Sequence, residues 1–161
     1  MSLTWIICGA GRHIGRTSLA QRLCEVLPNA VYAKQGCGTW QEGKPSNFFR
    51  TDQELASFVA AARAQHEHIV VESNALARRG DGDIIIFVDG PAGLTDSRPD
   101  VDLLRAQSHV QIAPGVLPGR WREALLQKVP SPALRDAVGA MFARHAERAR
   151  PADAGVCRVT P

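Results

Sequence analysis

The sequence predicts an α/β protein: a three-layer, mostly parallel sheet of about five strands, helices on both faces, and a helical C-terminal tail. Three observations carry this. Short unbroken apolar runs, such as Trp5 to Cys8 and Ile84 to Val88, read as strands buried on both faces. Between them lie segments whose apolar residues recur at helical spacing. Gly, Pro and Asp punctuate the junctions.

Thr4 to Cys8 is the first strand and runs into a Gly cluster. From Gly15 the period changes: Leu19, Leu23, Val26 and Leu27 share one helical face, and Pro28 stops the helix. Ala30 to Lys34 is a second strand. The Gly-rich, polar stretch from Gly36 to Arg50 predicts a mobile loop. Thr51 and Glu54 form a capping box, and Leu55, Phe58, Val59 and Ala62 give the stripe of the helix that it opens. His68 to Glu72 is the third strand and Asp83 to Asp89 the fourth, with a turn rich in Arg, Gly and Asp between them. Asp100 is placed to cap a short helix bearing Val101, Leu103 and Leu104, and His109 to Ala113 reads as the last strand before Pro114-Gly115. Trp121, Leu125 and Val129, then Leu134, Val138, Met141 and Phe142, mark two tail helices. The organisation expected is an α/β core over residues 1–116 and a helical extension over 117–161 packed on the same domain.

The 161 residues are 45% hydrophobic and 22% charged, which excludes a disordered chain. No apolar run approaches the roughly 20 residues that span a bilayer, and no export signal precedes Trp5, so a cytoplasmic protein without membrane attachment is expected. Cys8, Cys24, Cys37 and Cys157 are scattered, which disfavours a disulfide framework or a zinc site; free thiols are expected, with Cys37 between two glycines the exposed one. Residues 1–115 carry 11 basic and 12 acidic side chains, whereas residues 116–161 carry 8 and 4. The basic tail lacks the dense stripe and stacking aromatics of a nucleic-acid face, and its helices are a candidate surface for a protein partner.

The first strand leads into Cys8-Gly-Ala-Gly-Arg-His-Ile-Gly-Arg-Thr-Ser18, between a buried strand and an amphipathic helix. A helix start there offers unpaired N–H groups and a partial positive charge to phosphate. Against the pattern G-x-x-x-x-G-K-[ST], Ala10 stands at the first Gly and Arg16 at the Lys, while Gly15 and Thr17 match. A guanidinium neutralises phosphate, but it is larger and flatter than an ammonium. Thr17 keeps the hydroxyl suited to Mg²⁺. The candidate phosphate-binding residues are Gly11, Arg12, His13, Ile14, Gly15, Arg16, Thr17 and Ser18. A G-x-G-x-x-G dinucleotide motif fits less well, since Gly15 falls one place late and Lys34 rather than an acid ends the second strand. A Gly-rich turn without a ligand is the third reading.

With these residues in place, the chain resembles the P-loop NTPase superfamily, and within it the small MobB-type proteins of molybdopterin-guanine-dinucleotide synthesis. The likeness rests on Gly15-Arg16-Thr17-Ser18-Leu19, Lys34, Lys44-Pro45 and Ile69-Val-Val-Glu72-Ser73, and covers residues 4–113. Glu72 is followed by Ser73 where that family usually has Gly. The resemblance implies a P-loop NTPase-like fold, ATP or GTP bound with Mg²⁺, slow hydrolysis, accessory service to a molybdoenzyme pathway and a homodimer.

Acidic residues at strand ends supply candidates for the rest of the site. Glu72 is placed to hold a metal-bound water or orient the attacking one, or is a surface carboxylate. Asp89, before Gly90-Pro91, either binds metal through water or makes an Asx turn. The candidate catalytic pair is therefore Arg16 and Glu72, and the candidate metal ligands are Thr17, Glu72 and Asp89. Lys34 either meets phosphate or is solvated, and Asn74 is a possible polar contact. His66, His68 and His109 fall near strand starts, away from the expected ligand edge. Three functions follow from these residues: a Mg-nucleotide-binding protein with weak or absent hydrolysis, a degenerate non-catalytic adaptor, or a small-molecule kinase.

Overall fold

The computed structural model describes residues 1–11, 14–36, 47–90, 100–113 and 121–148. In chain order the elements are β1 (Leu3–Gly9), α1 (Arg16–Val26), β2 (Ala30–Gln35), β3 (Phe48–Phe49), α2 (Asp52–Ala62) and β4 (His68–Glu72), then α3 (Asn74–Arg79), β5 (Ile84–Val88), α4 (Val101–Gln107), β6 (Val110–Ile112), α5 (Trp121–Lys128) and α6 (Pro132–Arg148). The strands form one sheet in the order β3-β2-β4-β1-β5-β6, and every pairing among the described residues is parallel.

Alternation along the central strands divides the core in two. Trp5, Ile7, Val70, Ile84 and Ile86 face α1, α5 and α6, whereas Ile6, Cys8, Ile69, Val71, Ile85 and Phe87 face α2, α3 and α4. Chain moves toward β2 carry their helix on the first face, and moves toward β6 carry theirs on the second. A uniform crossover hand demands this arrangement. The tail is part of the first layer, because Leu125, Val138, Met141 and Phe142 are buried in the same cluster as Trp5 and Leu19.

The structure departs from the sequence reading in three places. A sixth strand, β3, pairs with the end of β2 at the far side of the expected loop. Residues 37–46 of that loop, Cys37 among them, lie outside the described residues, as does Cys157. The turn expected between the third and fourth strands contains α3, capped by the Ser73 hydroxyl accepting from the Leu76 N–H and closed at Gly80. Asp100 stands at the start of α4 without a side-chain cap bond, and its carboxylate pairs with Arg78 at 2.9 Å instead. In keeping with the mostly parallel sheet expected, the described part is parallel throughout.

The Thr51–Glu54 capping box is present in both directions. At the sheet's N-terminal edge, Arg63 bridges Asp83 and the Thr4 hydroxyl. Cys8 and Cys24 are free thiols. Among the described residues no helix is long and apolar enough to cross a membrane.

Candidate functional site

The site begins at the carboxyl end of β1. Gly15 precedes α1 with φ 91° and ψ 10°, a left-handed conformation that costs an L-residue about 1–2 kcal/mol. Among the described residues no side chain caps this end of α1, and its first turn holds no acid. The N–H groups there and their partial positive charge face the crevice beyond the strands' carboxyl ends, where ligands of open α/β sheets bind.

Sheet register supplies the facing wall. Glu72 ends β4 and is paired on one side with Ile7 and on the other with Lys34. With a period of two, Tyr32 lies on the same face as Lys34. The Glu72 side chain is only 4% exposed, so its charge needs partners. Its Oε2 atom accepts from the Thr17 hydroxyl at 2.8 Å and from the Tyr32 hydroxyl at 2.9 Å. The Lys34 ammonium lies 3.2 Å from the same oxygen, and Arg16 Nε is 3.8 Å from Oε1. Lys34 also donates to Thr17 Oγ1 at 2.8 Å. Burial, reinforced by the Glu72 charge and their shared hydrogen bond, pushes the Tyr32 phenol far above its ordinary range, so it remains a donor.

Arg16 is held from a third direction. Its Nη1 donates to Asn74 Oδ1 at 3.1 Å, and Asn74 also accepts from Gly9 N and donates to Gly9 O. The first residue of α3 thereby ties the end of β1 to the Arg16 guanidinium at the start of α1. Behind the loop, α6 brings His145 against Gly15: a Cβ added there would lie 3.2 Å from His145 Nε2. His145 is buried, its Nδ1 lies 3.3 Å from Arg22 Nη1, and among the described residues its Nε2 has no hydrogen-bond partner. Burial, then the Arg22 charge, pushes its pKa down.

A pocket of about 410 Å³ results, lined by Ile14, Gly15, Arg16, Thr17, Ser18, Lys34 and Glu72. Of the residues expected from sequence, Ile14 to Ser18 and Glu72 converge here. Gly11 is buried outside the lining, and Arg12 and His13 lie outside the described residues. Asp89 is elsewhere: its carboxylate pairs with Arg105 at 3.3 Å, and it does not line the pocket. Lys34 and Asn74, open candidates from sequence, both touch the central residues. Tyr32 was not foreseen, although its spacing two residues before Lys34 was a usable signal.

The residues suit an anion, since two cations and a helix start face one carboxylate. They do not suit a directly bound Mg²⁺ as arranged. Thr17 Oγ1 and Glu72 Oε2, the two oxygens expected to hold it, both face the Lys34 ammonium. Among the described residues, no group of three or more His, Cys, Asp or Glu could hold a metal. Cys8 offers no nucleophile, because burial pushes its thiol up to about 12.

Comparison of the chain with protein-family models, with curated proteins and with solved structures finds no match.

Proposed function

We propose that this protein binds the polyphosphate of a nucleotide, ATP or GTP, in the pocket at the start of α1, with weak or absent hydrolysis. One observation carries the reading: Arg16, from α1, and Lys34, from β2, converge beyond the sheet's carboxyl edge on the start of an 11-residue helix that no described side chain caps. Phosphate oxygens suit both the amides and the cations.

The way Glu72 and Arg16 are engaged supports the weak or absent hydrolysis of this reading. Glu72 Oε2 already serves Thr17, Tyr32 and Lys34, which makes it a poor acceptor for a proton from attacking water. Arg16 is anchored to Asn74, away from a freely mobile role in neutralising developing charge. The P-loop class and the accessory role in molybdenum cofactor synthesis belong to the same proposal and rest on the sequence resemblance.

The test is a thermal-shift and calorimetric screen against ATP, GTP, their diphosphates and pterin compounds. Ligand at 100 times Kd stabilises by about 2.7 kcal/mol, a readily measured shift. Nucleotides shifting the midpoint, with Arg16→Ala weakening them, supports the reading. An unchanged midpoint with every nucleotide and with inorganic tripolyphosphate defeats it.

A docking role has one observation of its own. Arg22, Arg144 and Arg148, with the acid Glu25 beside them, line a smaller cleft of about 180 Å³ between α1 and α6. An acidic protein partner suits this face, and charge reversal at Arg144 would abolish such binding without altering nucleotide affinity.

A further inference from the structure

Lys34 stands between two oxygens that a divalent cation would be expected to bridge. Its Nζ donates to Thr17 Oγ1 at 2.8 Å and lies 3.2 Å from Glu72 Oε2. The same two atoms are joined directly, Thr17 donating to Glu72 at 2.8 Å. The hydroxyl therefore gives its proton to the carboxylate and offers a lone pair to the ammonium, which leaves that lone pair engaged before any metal arrives. Tyr32 supplies a further donor to Oε2.

Charge balance makes the same point. A buried carboxylate requires a compensating cation. Here the requirement is met within the chain by Arg16 at 3.8 Å and, more closely, by Lys34 from the strand adjacent to β4, a side chain 23% exposed and in contact with the pocket. A divalent ion in the same place would have to displace an ammonium at contact distance or sit against it. Lys is a compact point charge with three donors, so one ammonium can keep Thr17 and Glu72 while directing a remaining proton at a phosphate oxygen. Arg16 pairs with the other carboxylate oxygen, Nε to Oε1 at 3.8 Å, while its Nη1 is held by Asn74, so it is Lys34 that touches both Thr17 Oγ1 and Glu72 Oε2.

We infer that the Lys34 ammonium substitutes for the divalent cation of this site, so that the pocket takes a polyphosphate group without Mg²⁺. The inference rests on the phosphate-binding reading above and adds the identity of the counter-ion. It makes metal-free polyphosphate, rather than its Mg²⁺ complex, the preferred ligand.

The test is isothermal calorimetry with inorganic tripolyphosphate on the full chain, in EDTA and in excess Mg²⁺. The wild-type protein is expected to bind in EDTA at least as tightly as in Mg²⁺. Lys34→Met should lose about tenfold or more in EDTA and recover part of it when Mg²⁺ enters the vacated position. The wild-type comparison stands even where the variant folds poorly. Wild-type binding that requires Mg²⁺, or a folded Lys34→Met that binds in EDTA like wild type, overturns the inference and leaves phosphate binding intact. Absence of binding under both conditions overturns phosphate binding itself, and the inference with it.

Discussion

Tyr32, on the strand beside β4, donates its phenolic proton to Glu72 Oε2 over 2.9 Å. The bond joins a half-buried hydroxyl to a buried carboxylate that also receives Thr17. Tyr32 has no place in the motif that points to the pocket, yet its hydrogen bond helps hold the central acid in position.

Tyr32→Phe should lower the unfolding free energy by about 1–2 kcal/mol, the range for a partly exposed hydrogen bond to a charged group. The phenol's folded pKa lies above its ordinary value of 10.0. Its contribution is therefore intact below that pH and declines above it, as the unfolded chain releases a proton that the folded one retains. Urea titrations between neutral pH and pH near 11 should show a shallower alkaline decline in the variant than in wild type.

Acid acts through the histidines. The Trp5 indole N–H donates to His68 Nδ1 at 3.1 Å, and the Ile85 amide donates to His109 Nδ1 at 2.9 Å, so both rings are acceptors at that nitrogen. Desolvation pushes both pKa values below the ordinary 6.5, as it does for His145. The unfolded chain then binds more protons as pH falls below 6.5, and stability drops through that window. For His68, protonation turns an acceptor into a donor facing a donor, which costs about 1–3 kcal/mol. The urea midpoint should be lower at pH 5 than at pH 7.5, and His68→Gln should reduce the difference. Equal midpoints in wild type would contradict the assigned acceptor roles.

Gly139 lies inside α6 where the Trp121 ring crosses it. A Cβ there would meet Cη2, Cζ3 and Cζ2 of the indole well inside contact distance. The ring also packs edge-on against Phe142, with centroids 6.5 Å apart, so it has little freedom to retreat. Gly139→Ala should cost about 1–3 kcal/mol through overpacking, despite the better helix propensity of Ala. A thermal midpoint at or above that of wild type would show that the α5–α6 contact is softer than this.

Gly15→Ala combines two penalties at the pocket's edge. The left-handed backbone costs about 1–2 kcal/mol, and the added methyl group meets His145 at 3.2 Å. Calorimetry should register lost stability together with weaker tripolyphosphate binding. Asp89→Asn is the control: it weakens the half-buried contact to Arg105 and should leave that affinity unchanged, since Asp89 lies outside the lining.

Much of this was legible in the residues themselves. The runs Thr4 to Cys8, His68 to Glu72 and Ile84 to Val88 have no other comfortable place than a buried sheet, and Thr51 with Glu54 announces α2. Local patterns carried less for short elements. α3 has six residues and β3 two, too few for a period to emerge. Asp100 shows a different limit, since its carboxylate had a choice between a helix end and Arg78, and distant packing decided it. At the site, the loop and Glu72 were visible because strand ends can be read locally. The meeting of Tyr32 and Lys34 with Glu72 depends on β4 lying between β1 and β2, a neighbourhood set by long-range pairing.

The contact between Gly15 and His145 has a bearing on how the molecule is made. A ribosome releases β1 and its turn early, and α6 only after every strand of the sheet. The turn that opens α1 therefore emerges well before the helix that backs it, and it must wait for that late arrival to gain its rear support. Nascent chains stalled before α6 should expose this turn to proteolysis, and released full-length chains should protect it.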